Sequence, residues 1–592
     1  MPNRFPRAAG DGFSRFRIRN TAAEMESYNM KTKIIALVTA MLLLVLAGGC
    51  GKASLEVEGL PELSPSSLQA PTPADSAKSI TASFAGLSQP ELTAPFEQSA
   101  PVNVEFSEKA QGAVCQDGYL YVLSNSEFMI LSAQEGVVSL LSTTNFASER
   151  EDTGDTYEYS SAIYVQDDRL AVVTNLTSFS GDEGLNASTR SYAKIYDISD
   201  RTAPVQLADL GQDGVYQDSA VSDGVLCLIS VDSFRVDGET LPLPSFVDNG
   251  AEFSVPESRI YLCEKPGSAA YTVVSAISLS DGRRTDVCAF TDSHLYTAVS
   301  ESSIYLARSV SLSAEGESHT VDQYTVTDHA TSVVTEIKKL SFADSLSLLN
   351  SYNVEGQVLA LDAHGTELRL VTAVSRSRYQ IFTDEKYGWS NRLDGEQVQQ
   401  SLLWVLGENM QPLLQSDTLL PDNGIAAIAF SADRCYAAAQ GEETLLVSVD
   451  LSDPAAAQAV NVSGLGTSMN HLISAGGTLL NLTAADGRLF LSRLSEDGTF
   501  GEAYRVDAYS GEGFAAACSE DAQTALVAFD GGVHLLQLGE EIREIGMPKI
   551  SVHSGTAFLF EGNYLYACAP DSVCAVDLQT AEVTTLLSFG VG

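Results

Sequence analysis

The sequence predicts an all-β protein, a closed ring of four-stranded antiparallel units, on three observations. A phrase of short apolar strand, tight polar turn and second alternating strand returns nine times after residue 105. It reads GAVCQDGYLYVLS from Gly112, AIYVQDDRLAVVT from Ala162, SAVSDGVLCLIS from Ser219, CAFTDSHLYTAV from Cys288 and VLALDAHGTELRLVT from Val358. It continues as IAFSADRCYAAA from Ile428, LISAGGTLLNLT from Leu472, ACSEDAQTALVAF from Ala517 and FLFEGNYLYACA from Phe558. Alternation marks half-buried strands, and DG, GG and GN mark the turns between them. Third and fourth strands follow each pair, as in AKIYDISDRTAP from Ala193 and VQLADL from Val205. Both alternating sets are apolar, as they must be where each unit hides both faces against its neighbours. This is the pattern of a β-propeller with eight or nine blades over residues 105–592.

The segments before the ring read in order as export signal and tether. Residues 1–29 hold Arg4, Arg7, Arg15, Arg17 and Arg19 and no apolar run. They are expected to lie upstream of the true start at Met30, or to form a disordered extension. Residues 30–49 carry Lys31 and Lys33, an apolar run from Ile34 to Ala47, then Gly48 and Gly49 before Cys50. Fourteen apolar residues give a helix of about 21 Å, too short for a hydrocarbon core of about 30 Å, and suit a signal peptide. A cysteine directly after small residues resembles the lipobox of bacterial lipoproteins. The resemblance implies a diacylated Cys50 as the mature N-terminus. Ala47 stands where the lipobox usually has a branched residue, with Leu46 one place further out. Residues 50–104 are rich in Pro, Ser, Ala and Thr and are expected to form a flexible tether.

Charge narrows the partners. The formal net charge is −43, and 27 basic against 74 acidic residues follow position 49. Such a surface repels phosphate backbones and anionic headgroups, so nucleic acid is excluded and the ring itself is not expected to bind anionic lipid. Apart from Cys50, eight cysteines sit in apolar strand-like runs such as VLCLI and LYAC, without a CxxC. They are read as buried thiols rather than disulfides or metal ligands.

Two interruptions, residues 232–257 and 375–400, look too long for hairpins. Long ordered loops on a rigid ring are where binding usually resides. The second holds Tyr387 and Trp389, the candidate ligand-contacting aromatics; Trp404 is the other tryptophan. Catalytic signatures do not assemble. The seven histidines show no HExxH or other metal-ligand spacing, and no GxSxG elbow is present. GLG at Gly464 lacks the strand-to-helix setting of a nucleotide loop, and no EF-hand loop occurs. The paired carboxylates of DISD (Asp197, Asp200) and DLSD (Asp450, Asp453) recur at equivalent turns, as expected of residues that cap their own turns.

The chain from about 110 to 508 resembles the bacterial exported or lipid-anchored β-propeller domain proteins, whose role is undefined. The resemblance rests on AKIYDISDRTAPVQLADL, on the block from Leu241 through SRIYLCEKPGSAAYTVVSAISL, and on SLLNSYNVEGQVLALDAHGTELRLVTA. LLWVLGENMQPLLQSDTL and LLVSVDLSDPAAAQAVNVSGL complete it, and it weakens after about 510. It implies a propeller outside the cytoplasm and brings no catalytic residues.

The functional expectation is a monomeric, non-catalytic binding or scaffold module, without cofactor or metal, held to the membrane through Cys50 and facing the extracellular side or periplasm. Its partner would be an envelope protein, a peptide or a glycan. The alternative is a polysaccharide- or peptide-directed hydrolase or lyase using carboxylates at the central channel. A cell-surface structural accessory is the third reading.

Overall fold

In the computed structural model, the described residues are 60–84, 104–107 and 112–589, apart from short internal stretches of which 148–155, 235–240 and 463–468 are the longest. Cys50 and the signal segment lie outside them. Most of the described residues are in strands, and no described helix is long and apolar enough to cross a membrane.

The strands form successive four-stranded antiparallel sets spanning 113–145, 156–213, 215–291, 296–355, 357–416, 425–462, 469–508, 514–546 and 557–588. Each set is one uninterrupted stretch of chain in which neighbouring strands pair in sequence order, save that the third set takes a long insertion after its second strand. The fourth and fifth are joined by hydrogen bonds into one nine-stranded sheet. Tight turns follow the sequence: Asp117–Gly118 and Asp223–Gly224 both have positive φ at each residue, the two-residue hairpin geometry that Asp-Gly favours.

The core is a series of slabs between successive sets. In Val225–Ser233, Val225, Cys227 and Ile229 pack on the fourth set while Leu226 and Leu228 pack on the second. Period-two alternation thus buries both faces. The series closes on itself. Leu120, Val122, Met129 and Leu131 of the first set pack against Tyr566, Cys568, Val573 and Ala575 of the ninth. Among the described residues no strand is exchanged between these two sets. The joint is tied by Thr584 and Thr585, whose hydroxyls donate to the Gly136 carbonyl at 2.6 and 2.8 Å.

Part of the segment expected to be a flexible tether is instead built onto the ring. Thr72–Pro73 pairs antiparallel with Ile260–Leu262, and α1 (Ala77–Ser83) starts at Ser76, whose side chain accepts from the Ser79 amide. Leu68 is buried with Val310, Leu312 and Val334, and Ile80 and Phe84 are buried with Val255, Ile260, Tyr271 and Val273. Asn353 Nδ2 donates to the Pro65 and Leu68 carbonyls at 3.1 and 3.0 Å. Further on, Val104–Ser107 pairs in parallel with Met469–Ala475, the first strand of the seventh set. The apolar anchors are few and spread among Pro and Ser, with only Ile80 and Phe84 at helical spacing, so no sustained periodicity reveals them; burial orders them together with the Ser76 cap, the pairing at Thr72–Pro73 and the Asn353 hydrogen bonds. Phe84→Ala removes a ring in edge contact with Phe234 and Tyr271, at 5.2 and 5.6 Å. It is expected to cost about 3 kcal/mol, read as faster amide exchange and protease cleavage within residues 60–84.

Candidate functional site

An even number of strands per set makes every first strand run the same way, with first strands of successive sets adjacent around the inner rim. All second-to-third connections therefore emerge on one face. Most are short, but four successive sets build that face upward. The second lengthens its strands to Arg169–Ser180 and Asn186–Asp197, and the third inserts residues 234–269. The fourth and fifth extend Ser303–Glu315, Tyr324–Ser341, Glu367–Asp384 and Trp389–Leu406 far beyond the ring.

The interruption at 375–400 is therefore a hairpin after all. It was hidden because its strands run 18 residues each, and the outer half of the first gains a second partner from the neighbouring set. Tyr324 pairs with Asp384 and Asp384 with Trp389; His319–Val321 adds a further short strand, with Val321 opposite Tyr324. Within 232–257, Ser245–Asp248 and Ala251–Ser254 form a small hairpin on the outer edge of the second set.

Tyr387 and Trp389 lie together at the tip of this extension. Trp389 is half-buried, with its ring 5.6 Å from Tyr324, and Tyr387 is 51% exposed with Lys386 Nζ 4.9 Å from its ring centre. Asp384, buried below them, fixes the turn by accepting from the Lys386 and Tyr387 amides at 3.0 and 3.2 Å. Trp404 is core: it is buried and donates to Thr372 Oγ1 at 3.1 Å.

At the base of the same face, Arg190 Nε binds Asp213 at 2.9 Å and its Nη2 binds Glu252. Asp232 is close to this pair. Burial, reinforced by Asp213 and only partly offset by Arg190, pushes its carboxyl up to about 6. An acid whose folded value exceeds its unfolded value of about 3.9 favours the fold when protonated, so its ionisation weakens the fold as pH rises through 4 to 6. Asp232→Asn is expected to stabilise the protein by roughly 2 kcal/mol at pH 7 and to flatten the slope of stability between pH 4 and 7, measured by urea unfolding.

Between the third and fourth sets lies a fully buried constellation the sequence did not disclose. Ligand-capable atoms of Cys263, His294 and Glu336 lie within 4.8 Å of one another. Their centre is already occupied by cations. Lys338 Nζ donates to His294 Nε2 at 2.7 Å and to Glu336 Oε2 at 2.8 Å, and Arg308 Nε donates to the same oxygen at 2.6 Å. Arg308 also binds Asp292 Oδ2 at 2.6 Å, so two carboxylates balance two cations. An ammonium donating to Nε2 requires a neutral ring with its proton on Nδ1, which faces Thr272 Oγ1 at 2.9 Å. Burial, then Lys338 and Arg308, keep His294 well below its ordinary value, in agreement with that tautomer. Burial also pushes the Cys263 thiol up. The arrangement is a charge-balanced brace in which Lys338 already engages the His294 and Glu336 atoms that could bind a metal. Its one sequence signal is TEIKKLS, where Glu336 and Lys338 alternate with Ile337 in a strand buried on both faces.

The repeated carboxylates cap turns, as expected. Asp197 accepts from the Ser199 amide at 2.9 Å, Asp200 from Thr202 at 3.0 Å, Asp450 from Ser452 at 3.0 Å and Asp453 from Ala455 at 3.1 Å. Six of the eight described cysteines are buried thiols. Cys568 and Cys574 sit diagonally across their hairpin, Cys568 opposite Val573 and Ala567 opposite Cys574. On the opposite face, a cleft of about 620 Å³ between the eighth and ninth sets is lined by amides and hydroxyls including Gln523, Gln537, Asn563 and Gln579.

No curated protein matches the chain. Among solved structures it is similar to apo AztD from Citrobacter koseri, at 13% identity over 54% of this chain and 92% of that one, with a TM-score of 0.28. A putative 6-phosphogluconolactonase from Bacteroides uniformis aligns at 14% identity over 54% and 92%, with a TM-score of 0.27. A eukaryotic initiation factor aligns at 9% identity over 79% and 96%, with a TM-score of 0.42. The family model described as the beta propeller domain matches residues 112–462, more than half of the chain, and the protein belongs to that family.

Proposed function

We propose that the protein is an exported, lipid-anchored binding or scaffold module, non-catalytic, whose propeller presents one built-up face to an envelope protein, a peptide or a glycan. The observation that carries this reading is the lopsided face: four successive sets raise strands and hairpins on the same side, while the recurring carboxylates are used up in turn caps. The strong negative charge argues against nucleic acid as the partner. Export and anchoring rest on the run from Lys31 to Cys50. Two chains on Cys50 would hold the protein stably where one would not.

In vivo crosslinking of the mature form after membrane solubilisation tests the module. A reproducible partner is expected. Absence of any partner, together with turnover of a glycan panel by the purified protein, would overturn it. Cys50→Ser is expected to move the protein out of the membrane fraction; unchanged retention would remove the anchor from the proposal.

A further inference from the structure

We infer that the tip of the β-extension rests in the headgroup region of the membrane that holds Cys50, so that the ring stands on two feet, one lipid and one protein. The inference builds on the lipid-anchor reading above and adds an orientation to it. It begins with where the described chain starts. Leu60 does not sit at a remote edge of the ring; its side chain lies beside Gly316, whose amide donates to the Asp328 carbonyl at 2.8 Å at the root of the extension. Ten peptide units separate Cys50 from Leu60, a reach of at most about 35 Å. Four residues along the strand from Asp328 stands Tyr324, about 14 Å nearer the tip. A membrane-held Cys50 therefore keeps the tip within reach of the bilayer surface.

The tip has the composition an interface selects. Trp389, Tyr324 and Val321 form one cross-strand row, and Tyr387 occupies the turn beside it. Leu393 lies on the same face as Trp389, four residues along the strand. Val321, Tyr387 and Leu393 are 44%, 51% and 46% exposed. Tryptophan and tyrosine favour the headgroup level, where an apolar body and a polar tip are both satisfied. Lys386 sits over Tyr387 and can reach phosphate while its stem stays apolar; Arg392 on the same hairpin is held by Asp394 at 2.6 Å and lies over the Tyr379 ring. The body is strongly acidic, so the contact relies on the aromatic tip and suits a zwitterionic surface rather than an anionic one.

The protein carries its own reporter, because Trp404 is buried and Trp389 is the other tryptophan. The lipidated full chain is reconstituted into phosphatidylcholine vesicles, floated on a density gradient, and read with phosphatidylcholine brominated along its acyl chains. Flotation with a blue-shifted emission, and quenching of a third or more of the tryptophan signal, is the expected result. The quenched component should disappear in Trp389→Phe, which leaves Trp404 and flotation unchanged. Flotation without quenching, with Trp389 still open to aqueous iodide, would overturn the inference, leave the anchor standing and assign the tip to a soluble partner. A protein that fails to float would overturn the anchor and the inference with it. Retention of full quenching in Trp389→Phe would also overturn it, since the signal would then come from the core.

Discussion

Glu336→Ala is expected to destabilise the protein by about 3–5 kcal/mol, enough to unfold a marginal ring. The substitution leaves Arg308 and Lys338 buried, 2% exposed and fully enclosed respectively, with one carboxylate at Asp292 between them. Burial alone would raise the Glu336 carboxyl, but Lys338 and Arg308 outweigh it and hold it below its ordinary value of 4.5. A depressed folded value means the stabilisation is present above that pH and is lost as pH falls through the lower, folded value. Urea unfolding of the wild type should therefore show a loss of stability on acidification below about pH 4.5 that Glu336→Ala does not share. A double-mutant cycle with Lys338→Met isolates the pair. The double variant is expected to be more stable than Glu336→Ala alone, because removing both charges is cheaper than stranding one. A Glu336→Ala cost below 1 kcal/mol would show that the brace is not structural.

The second large effect is expected at the joint between the first and last sets. Gly136 has φ +75, and a Cβ there would stand 2.8 Å from Thr584 Oγ1 and drive into the Tyr564 ring. Gly136→Ala combines about 1–2 kcal/mol of left-handed backbone cost with a steric push across the seam. The sum is expected to reach about 3 kcal/mol or more. Gly562→Ala is the matched control: its φ is +56 and nothing lies within 4 Å of the added carbon, so only the backbone cost of about 1 kcal/mol should appear. Amide exchange decides the mechanism. Gly136→Ala should accelerate exchange in residues 113–145 and 557–588 together; acceleration confined to 113–145 would mean a local turn defect rather than an opened joint.

These two sites also mark what the sequence discloses. The ring was legible because its signals are local: alternation in VLCLISV and Asp-Gly turns at 117–118 and 223–224 depend on neighbours in the chain. The turn caps at Asp197 and Asp450 were legible for the same reason. The buried brace was not, because Cys263, His294, Arg308 and Glu336 are brought together by the packing of one set on another, which no local pattern encodes. The docked stretch from 60 to 84 was missed in a similar way; Ile80 and Phe84 share helical spacing over a single short helix and Leu68 stands apart, too little for a sustained pattern, and the composition reads as linker. Tyr387 and Trp389 were singled out from their setting in a long interruption, but their union with Val321 and Tyr324 depends on pairing between strands of successive sets, with Tyr324 opposite Asp384.

The closure without an exchanged strand has an evolutionary consequence. Where a ring is locked by a strand from the far terminus, the gene's ends are fixed, since any cut elsewhere leaves one sheet incomplete. Here the four main strands of each set travel as a continuous coding block, so among the described residues the joint between the first and last sets is a junction like any other. Duplication or loss of one of the self-contained blocks, 113–145, 425–462, 514–546 or 557–588, changes the circumference without orphaning a strand, and a circular permutant opened between the fifth and sixth sets should assemble as readily as the parent.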